Sequence, residues 1–198
     1  MNLMYNGNNM AIEIELKAHV EDRATLRSKL AETAEFLGSF EKDDTMWYSS
    51  DPLLLNPYGV RIRREKNALP NGTTESRVFV TQKNKEVKAG IEVNQEEEFE
   101  ICSSSGQPAQ AFENLLRRMG LTPGAGKRKR GEAFILNGIR AELLEVEGLG
   151  RFIELEILAE PSRADVNMEK KRLLDLLDSL GIKRDAIESR SYLQMLKQ

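Results

Sequence analysis

The chain has 198 residues, of which 40% are hydrophobic and 31% are charged, and its formal net charge is −3 at pH 7. This composition is ordinary for a folded protein large enough to bury a core, so we expect a single domain over residues 11–198 behind a disordered leader, residues 1–10. The small net charge excludes a general attraction to nucleic acid or to an anionic membrane surface. No apolar run approaches the roughly 20 residues that a membrane-spanning helix needs, and we expect a cytoplasmic protein.

Cysteine and histidine are nearly absent from the sequence. The single cysteine, Cys102, excludes an internal disulfide and a zinc site built from cysteines. The only histidine, His19, has no second histidine with which to share a metal ion. The chain also has no nucleophile elbow, no P-loop and no dinucleotide-binding fingerprint. If the protein is an enzyme, its chemistry must therefore rest on carboxylates, lysines and arginines.

Alternating apolar and polar residues predict about eight strands. In chain order these strands cover residues 11–20, 45–50, 59–65, 76–83, 95–101, 133–138, 139–148 and 151–157. Apolar residues at helical spacing predict helices over residues 22–36, 108–119, 164–180 and 185–197. Strands that follow one another closely pair most simply as an antiparallel meander. We therefore expect an α+β fold, with barrel strands over about 11–157 and C-terminal helices over about 164–197.

The charged faces of these strands are sorted by sign. Acidic residues alternate on 13–15, 96–100 and 154–156, and basic residues lie at 61–63, 77 and 83, while the opposite faces are rich in Ile, Leu and Val. A sheet with one apolar face and several amphipathic helices can cover that face from outside. The charged face then closes on itself, which predicts a closed, mainly antiparallel, eight-stranded barrel with a polar lumen, flanked by helices. The alternative is an open sheet whose charged face is solvated.

Charges inside a barrel need partners, because isolated buried charge is strongly unfavourable. Arginine forks bind phosphate oxygens, and carboxylates are the hard oxygen ligands that Mg²⁺ or Mn²⁺ prefers. A triphosphate with its bound divalent metal supplies both partners together. The pattern therefore favours this class of ligand over a solvated surface.

Six motifs in this order resemble the CYTH superfamily, the triphosphate-tunnel enzymes named for a bacterial adenylyl cyclase and thiamine triphosphatase. They are "EIELK" at Glu13–Lys17, "GVRIRRE", "VTQK", "EEEFEI", "GKRKRGEAF" and "EVEGLGRFIELEI". The match spans residues 12–157, and "ESRSYLQML" near the C-terminus resembles the tail of the class IV adenylyl cyclases. One such motif arises by chance, whereas six in order make a specific match.

The resemblance implies a role for each matching residue. Divalent metal, Mg²⁺ or Mn²⁺, would bind Glu13, Glu15, Glu154 and Glu156. The triphosphate would bind Lys17, Arg61, Arg63, Lys83, Lys127, Arg128, Lys129 and Arg130. Glu13, Glu15, Lys17 and Glu142 would be the catalytic residues, supported by Arg77, Glu98, Glu100 and Arg190.

The resemblance also implies an activity. In class IV cyclases the ribose 3′ hydroxyl attacks the α-phosphate of ATP, and pyrophosphate leaves. We therefore expect an adenylyl cyclase that binds ATP, with no nucleic-acid or membrane partner and with a homodimer implied by the family. One alternative is a triphosphatase that hydrolyses thiamine triphosphate, inorganic triphosphate or nucleotides with water as the nucleophile. The other is a module that binds polyphosphate or nucleotide without catalysis.

Two features depart from the family pattern. Leu144 stands where many members have an acidic residue, so either Glu142 substitutes for it, or a bulge shifts the register, or the contact is weakened. In the basic segment, the sequence does not settle whether Lys127 and Lys129 or Arg128 and Arg130 face inward. Of the four, we expect two to face the ligand.

Overall fold

The predicted closed barrel is confirmed. We describe a computed structural model of the protein over residues 12–49, 59–88, 91–101, 107–159 and 165–197. Its strands are β1 (Ile12–His19), β2 (Glu35–Ser49), β3 (Val60–Ala68), β4 (Thr74–Lys88), β5 (Ile91–Glu100), β6 (Leu121–Leu136), β7 (Ile139–Val146) and β8 (Gly150–Ala159). They close in the order β1-β5-β4-β3-β2-β6-β7-β8, and β8 pairs with β1. All of the pairs are antiparallel.

Helices pack against the barrel from outside. They are α1 (Arg23–Thr33), α2 (Gln107–Arg118), α3 (Val166–Ser179) and the short α4 (Tyr192–Met195), with a 3₁₀ turn at Arg184–Ala186 between the last two. Asp22 caps α1 by accepting a hydrogen bond from the backbone N–H of Thr25, and Asp165 caps α3 in the same way. No helix among the described residues is long and apolar enough to cross a membrane.

The main core lies between α1, α3 and the outer face of the barrel. Ile14, Leu16 and Ala18 on β1 are fully buried there, together with Leu30 and Leu173 from the two helices. Because side chains alternate along a strand, this packing fixes the opposite face of β1 toward the lumen. A second cluster, built on Trp47, Ile62, Val80 and Leu116, lies where α2 covers β2, β3 and β4.

Several boundaries differ from the sequence predictions, most of all at three places. β2 begins at Glu35 instead of residue 45, and β6 begins at Leu121 instead of residue 133, so that these two strands form the longest ladder of the barrel. The predicted helix over 185–197 is wrong over its first half. Ile187 instead makes a β-bridge with Ala18, which holds that stretch extended, and only Tyr192–Met195 is α-helical. The predicted leader and Cys102 lie outside the described residues, and the single domain stays a prediction.

Candidate active site

The charged face of β1 points into the lumen. Glu13 and Lys17 are buried, and they contact residues of other strands across the interior instead of solvent. Lys17 Nζ donates to Glu92 Oε1 at 2.7 Å. Lys83 of β4 also pairs with Glu13 of β1, on the face opposite to the apolar residues that pack against the helices.

Lys83 lies at the centre of one group of lumen carboxylates. Its Nζ is 2.8 Å from Glu13 Oε1 and 4.0 Å from Glu15 Oε2, and it also forms an ion pair with Glu96. Asn94 donates a further hydrogen bond to Glu13 Oε1 at 3.0 Å. Burial alone would raise the pKa of Glu13, but the Lys83 ammonium and these hydrogen bonds lower it to about 2. Glu13 is therefore held as an anion.

The two arginines of β3 extend the lumen site. Arg63 binds Asp44 with both arms of its fork, at 2.7 Å from Nε to Oδ1 and 3.0 Å from Nη2 to Oδ2. Arg61 donates through Nη2 to Thr81 Oγ1 at 2.9 Å and to Glu98 Oε2 at 3.3 Å. Both guanidinium groups are largely buried, so they present fixed positive charge to the interior.

The basic segment of β6 divides between the two faces. Lys127 and Lys129 point into the lumen, where Lys127 Nζ is 3.5 Å from Asp44 Oδ2 and Lys129 Nζ is 2.6 Å from Glu154 Oε2. Arg128 and Arg130 point outward and are exposed. The pairing of Lys129 with Lys42 of β2 sets this register. Two of these four basic residues were expected to face inward, and the structure brings the two lysines to the lumen.

Arg128 and Arg130 instead line a surface cavity of about 1150 Å³, whose other walls include Asp43, Arg64 and Glu145. Their guanidinium groups bind Asp43 and Glu145 on that surface, each at 3.2 Å. The lumen residues Lys42 and Lys129 also line this cavity, so it adjoins the charged interior of the barrel.

Glu142 takes the lumen position next to Leu144. Lys42 donates to both of its oxygens, at 2.7 and 2.9 Å, and Arg140 Nε donates to Oε1 at 2.9 Å. Burial opposes ionisation here, but Lys42, Lys129 and Arg140 lower the pKa of Glu142 well below its usual value. The pairing of β7 with both neighbours runs without a register shift, so the bulge alternative is wrong.

Leu144 lies on the same inner face as Glu142 but belongs to an apolar cluster. With Phe40, Val146 and Phe152 it fills one end of the lumen, and Tyr192 of α4 completes this end cluster. The residue therefore packs, and it presents no charged group to the site.

Two lumen carboxylates lack an adequate counter-charge. Burial, followed by repulsion from Glu154, Glu92 and Glu13, raises the pKa of Glu15 to about 8. Burial, followed by repulsion from Glu13 and Glu142, raises the pKa of Glu156 to about 7. The two residues are directly paired on β1 and β8. Crowded acids of this kind fit a divalent cation, although no group of three metal-binding side chains is already gathered among the described residues.

The supporting residues are dispersed. Glu98 binds Arg61 inside the barrel, while Glu100 and Arg77 form a looser, partly exposed pair at 3.7 Å. Arg190 lies outside the lumen and binds Glu188 at 2.6 Å. The structure thus places the predicted lumen residues together and separates Arg128, Arg130 and Arg190 from them.

Sequence reasoning missed several buried lumen residues. Lys42 and Asp44 lie in the part of β2 that was not predicted as strand, and Glu92 and Asn94 lie in the unpredicted start of β5. A signal was present at the start of β5, where Ile91 and Val93 alternate with Glu92 and Asn94. None marks Lys42 and Asp44, because residues 41–44 are all charged.

Comparisons with known proteins agree with the fold. A protein of Methanocaldococcus jannaschii, provisionally named an adenylate cyclase, is 25% identical over 193 residues, which cover 93% of this chain and 98% of that protein. A solved structure from Pyrococcus horikoshii is 26% identical, with a TM-score of 0.75 over 93% of this chain and 98% of its own. A Hippeastrum protein, described as a provisional adenylyl cyclase with a dominant triphosphatase activity, has a TM-score of 0.64 at 20% identity over 95% of each chain. No model of a known protein family matches the chain.

Proposed function

From its resemblance to the CYTH superfamily, which the barrel, the motif order and these relatives support, we propose that the protein is an enzyme that processes triphosphates. The reaction that we favour is the conversion of ATP to cyclic AMP and pyrophosphate. The observation that carries the proposal is the convergence of Arg61, Arg63 and the lumen lysines on one enclosed interior with the motif carboxylates.

The lumen lysines would bind a triphosphate by exchanging their carboxylate partners for phosphate oxygens. Lys83, Lys127 and Lys129 are now neutralised by carboxylates at 2.6–3.5 Å. A triphosphate chain can replace those carboxylates as the anion, because the ammonium groups are already desolvated and oriented for charge-assisted hydrogen bonds. Arg63, bound in a fork to Asp44, would hold its position throughout.

Two of the carboxylates that would be released, Glu13 and Glu154, belong to the set suited to hold metal. Glu13, Glu15, Glu154 and Glu156 would bind Mg²⁺ or Mn²⁺, and the crowding that raises the pKa of Glu15 and Glu156 would be relieved by that added positive charge. When bound, the metal neutralises charge on the phosphate oxygens. The protein side chains align the nucleophile with the leaving group and exclude bulk water.

The cyclase reaction needs no covalent intermediate. The 3′ oxygen of the ribose forms a bond to the α-phosphorus, the bond from that phosphorus to the pyrophosphate oxygen breaks, and a lumen carboxylate accepts the hydroxyl proton. Lys17, Arg61, Arg63, Lys127 and Lys129 would stabilise the charge that develops on the phosphate oxygens. This role agrees with a lumen built from carboxylates, lysines and arginines.

A triphosphatase is the second candidate. The observation that favours it is the Hippeastrum protein, which shares the fold and has a dominant triphosphatase activity. The same lumen residues would bind the substrate, and water would attack a phosphorus atom in place of the ribose hydroxyl. A module that binds triphosphate without turnover remains the non-enzymatic alternative.

One incubation separates these proposals. Purified protein is mixed with ATP and Mn²⁺, and the products are resolved by ion-exchange chromatography. Cyclic AMP and pyrophosphate in equal amounts support the cyclase, whereas orthophosphate from inorganic triphosphate, thiamine triphosphate or ATP supports the triphosphatase. Binding without any product contradicts both enzymes. A homodimer, a cytoplasmic location and the absence of a nucleic-acid partner stay predictions.

A further inference from the structure

The C-terminal segment is attached to the end of β1. Among the described residues, the pairing of β1 with β5 extends to Leu16, and beyond it Ala18 makes a β-bridge with Ile187. The backbone N–H of Glu188 donates to the carbonyl of Lys17 at 2.9 Å. Ser191 then caps α4 in a reciprocal capping box with Gln194. These contacts fix where the first residue of α4 projects.

That residue, Tyr192, projects into the apolar end cluster of the lumen. It is 4% exposed, and its ring packs edge-to-face on Phe152 with centroids 5.0 Å apart. The ammonium of Lys17 lies 5.7 Å from the ring centroid, and that of Lys127 lies 5.3 Å from it. The C-terminal segment therefore brings an aromatic side chain to two cations of the candidate site.

The phenol hydroxyl of Tyr192 is buried, and it has no hydrogen-bond partner among the described residues. Burial raises the pKa of the phenol most, followed by the charge of the nearby Glu154 carboxylate and a weaker side-chain contact with it. That contact does not reach hydrogen-bond geometry, and Glu154 Oε2 is bound by Lys129 Nζ at 2.6 Å. A buried hydroxyl without an acceptor is unfavourable in the free protein. An acceptor that arrives with a ligand would remove this penalty.

We propose that Tyr192 is a ligand-positioning residue. Its hydroxyl donates a hydrogen bond to the innermost phosphate oxygen of a bound triphosphate, between Lys17 and Lys127. This inference rests on the proposed function, because it needs a phosphate chain in the lumen. The ring closes the lumen at that end and sets how far the chain enters. The hydroxyl then donates a hydrogen bond only when a phosphate is present.

The test compares two full-length variants with the wild type in EDTA, using inorganic triphosphate as the probe. Tyr192→Phe removes the donor and keeps the ring. Phe152→Leu disturbs the same apolar cluster and removes no donor. Affinity is measured by isothermal titration calorimetry, and the melting temperature of each ligand-free protein is measured by circular dichroism.

We expect Tyr192→Phe to weaken triphosphate binding about ten-fold or more, since hydrogen bonds to charged groups are among the stronger ones. Its ligand-free melting temperature should be unchanged or higher, because the hydroxyl has no partner there. Phe152→Leu should lower the melting temperature and leave the affinity within about three-fold.

Two results would overturn the inference while leaving the proposed function intact. The first is unchanged triphosphate affinity in Tyr192→Phe. The second is a lower ligand-free melting temperature in that variant, which would mean that the hydroxyl already serves the fold. A wild-type protein that does not bind triphosphate would instead count against the proposed function.

Discussion

Lys83 Nζ lies 2.8 Å from Glu13 Oε1, and this contact joins two strands that are separated in the sheet by β5. The pair therefore reaches along the inner wall of the barrel. It joins one of the proposed phosphate-binding groups to one of the proposed metal-binding groups. Each neutralises the other until a ligand and its metal separate them.

Glu13→Gln should abolish activity without unfolding the protein. Lys83 keeps its ion pair with Glu96, so the substitution leaves no isolated buried charge. We expect metal-dependent turnover of ATP or inorganic triphosphate to fall by roughly 100-fold or more, as when one oriented group of an active site is removed. Product formation is measured beside a circular dichroism spectrum. Turnover within a few-fold of wild type, with the spectrum retained, would show that Glu13 is not part of the metal site.

Lys127→Gln and Arg128→Gln form a matched pair of neighbours on opposite faces of β6. Asp44 retains its ion pair with Arg63 when Lys127 is replaced by a neutral residue, so the fold should tolerate the change. Affinity for inorganic triphosphate should fall about ten-fold or more in Lys127→Gln and stay within about two-fold in Arg128→Gln, because only the lysine faces the lumen. Calorimetric titration measures both. Equal losses would contradict the inward register of the lysine.

Asp44→Asn should destabilise the fold strongly. Asp44 is 1% exposed, and it compensates both Arg63 and Lys127. Removing one partner of a buried ion pair costs about 3–5 kcal/mol in the free energy of unfolding. Urea denaturation gives this value, and Asp43→Asn is the control, since its exposed pair with Arg128 contributes less than about 1 kcal/mol. Similar losses in both variants would mean that burial does not distinguish the two aspartates.

The raised pKa of Glu15 predicts a pH-dependent stability in EDTA. Between its ordinary value of 4.5 and the folded value of about 8, the folded protein binds the proton more tightly than the unfolded chain does. This group therefore lowers the free energy of unfolding as pH rises through that range, by roughly 2–4 kcal/mol after allowance for its partial exposure.

Glu15→Gln removes that titration. The stability of the variant relative to wild type should increase from pH 5 to pH 8, as followed by urea denaturation at each pH. Glu156 keeps part of the trend in both proteins, because its pKa is raised to about 7 in the same direction. Glu147→Gln, at an exposed carboxylate, is the control and should show a constant difference. If the stability difference between Glu15→Gln and wild type were also independent of pH, the charge of the Glu15 carboxylate would be compensated by its neighbours.

The barrel was predictable from sequence because the predicted strands alternate charged and apolar residues, which places the two kinds of side chain on opposite faces. The inward direction of Lys127 and Lys129 was not, since it depends on which β2 residue each one faces. β2 contains register shifts between Phe36 and Gly38 and between Thr45 and Trp47. Such shifts are set by pairing between distant segments, which a local pattern does not record.

The final segment shows the same limit. Residues 185–197 have helical spacing, yet Ile187 is held extended by its bridge to Ala18. Tertiary pairing there overrides the local helix propensity of the segment. As a result, this segment carries Tyr192 into the end of the lumen.

The bridge at Ile187 also has a consequence for the integrity of the sheet. A chain lacking residues 187–195 would leave the last backbone groups of β1 as an uncovered strand edge, with Phe152 and Val146 no longer sealed behind it. Exposed edges of this kind recruit strands from other molecules. The C-terminal segment therefore protects the barrel against intermolecular strand addition and aggregation.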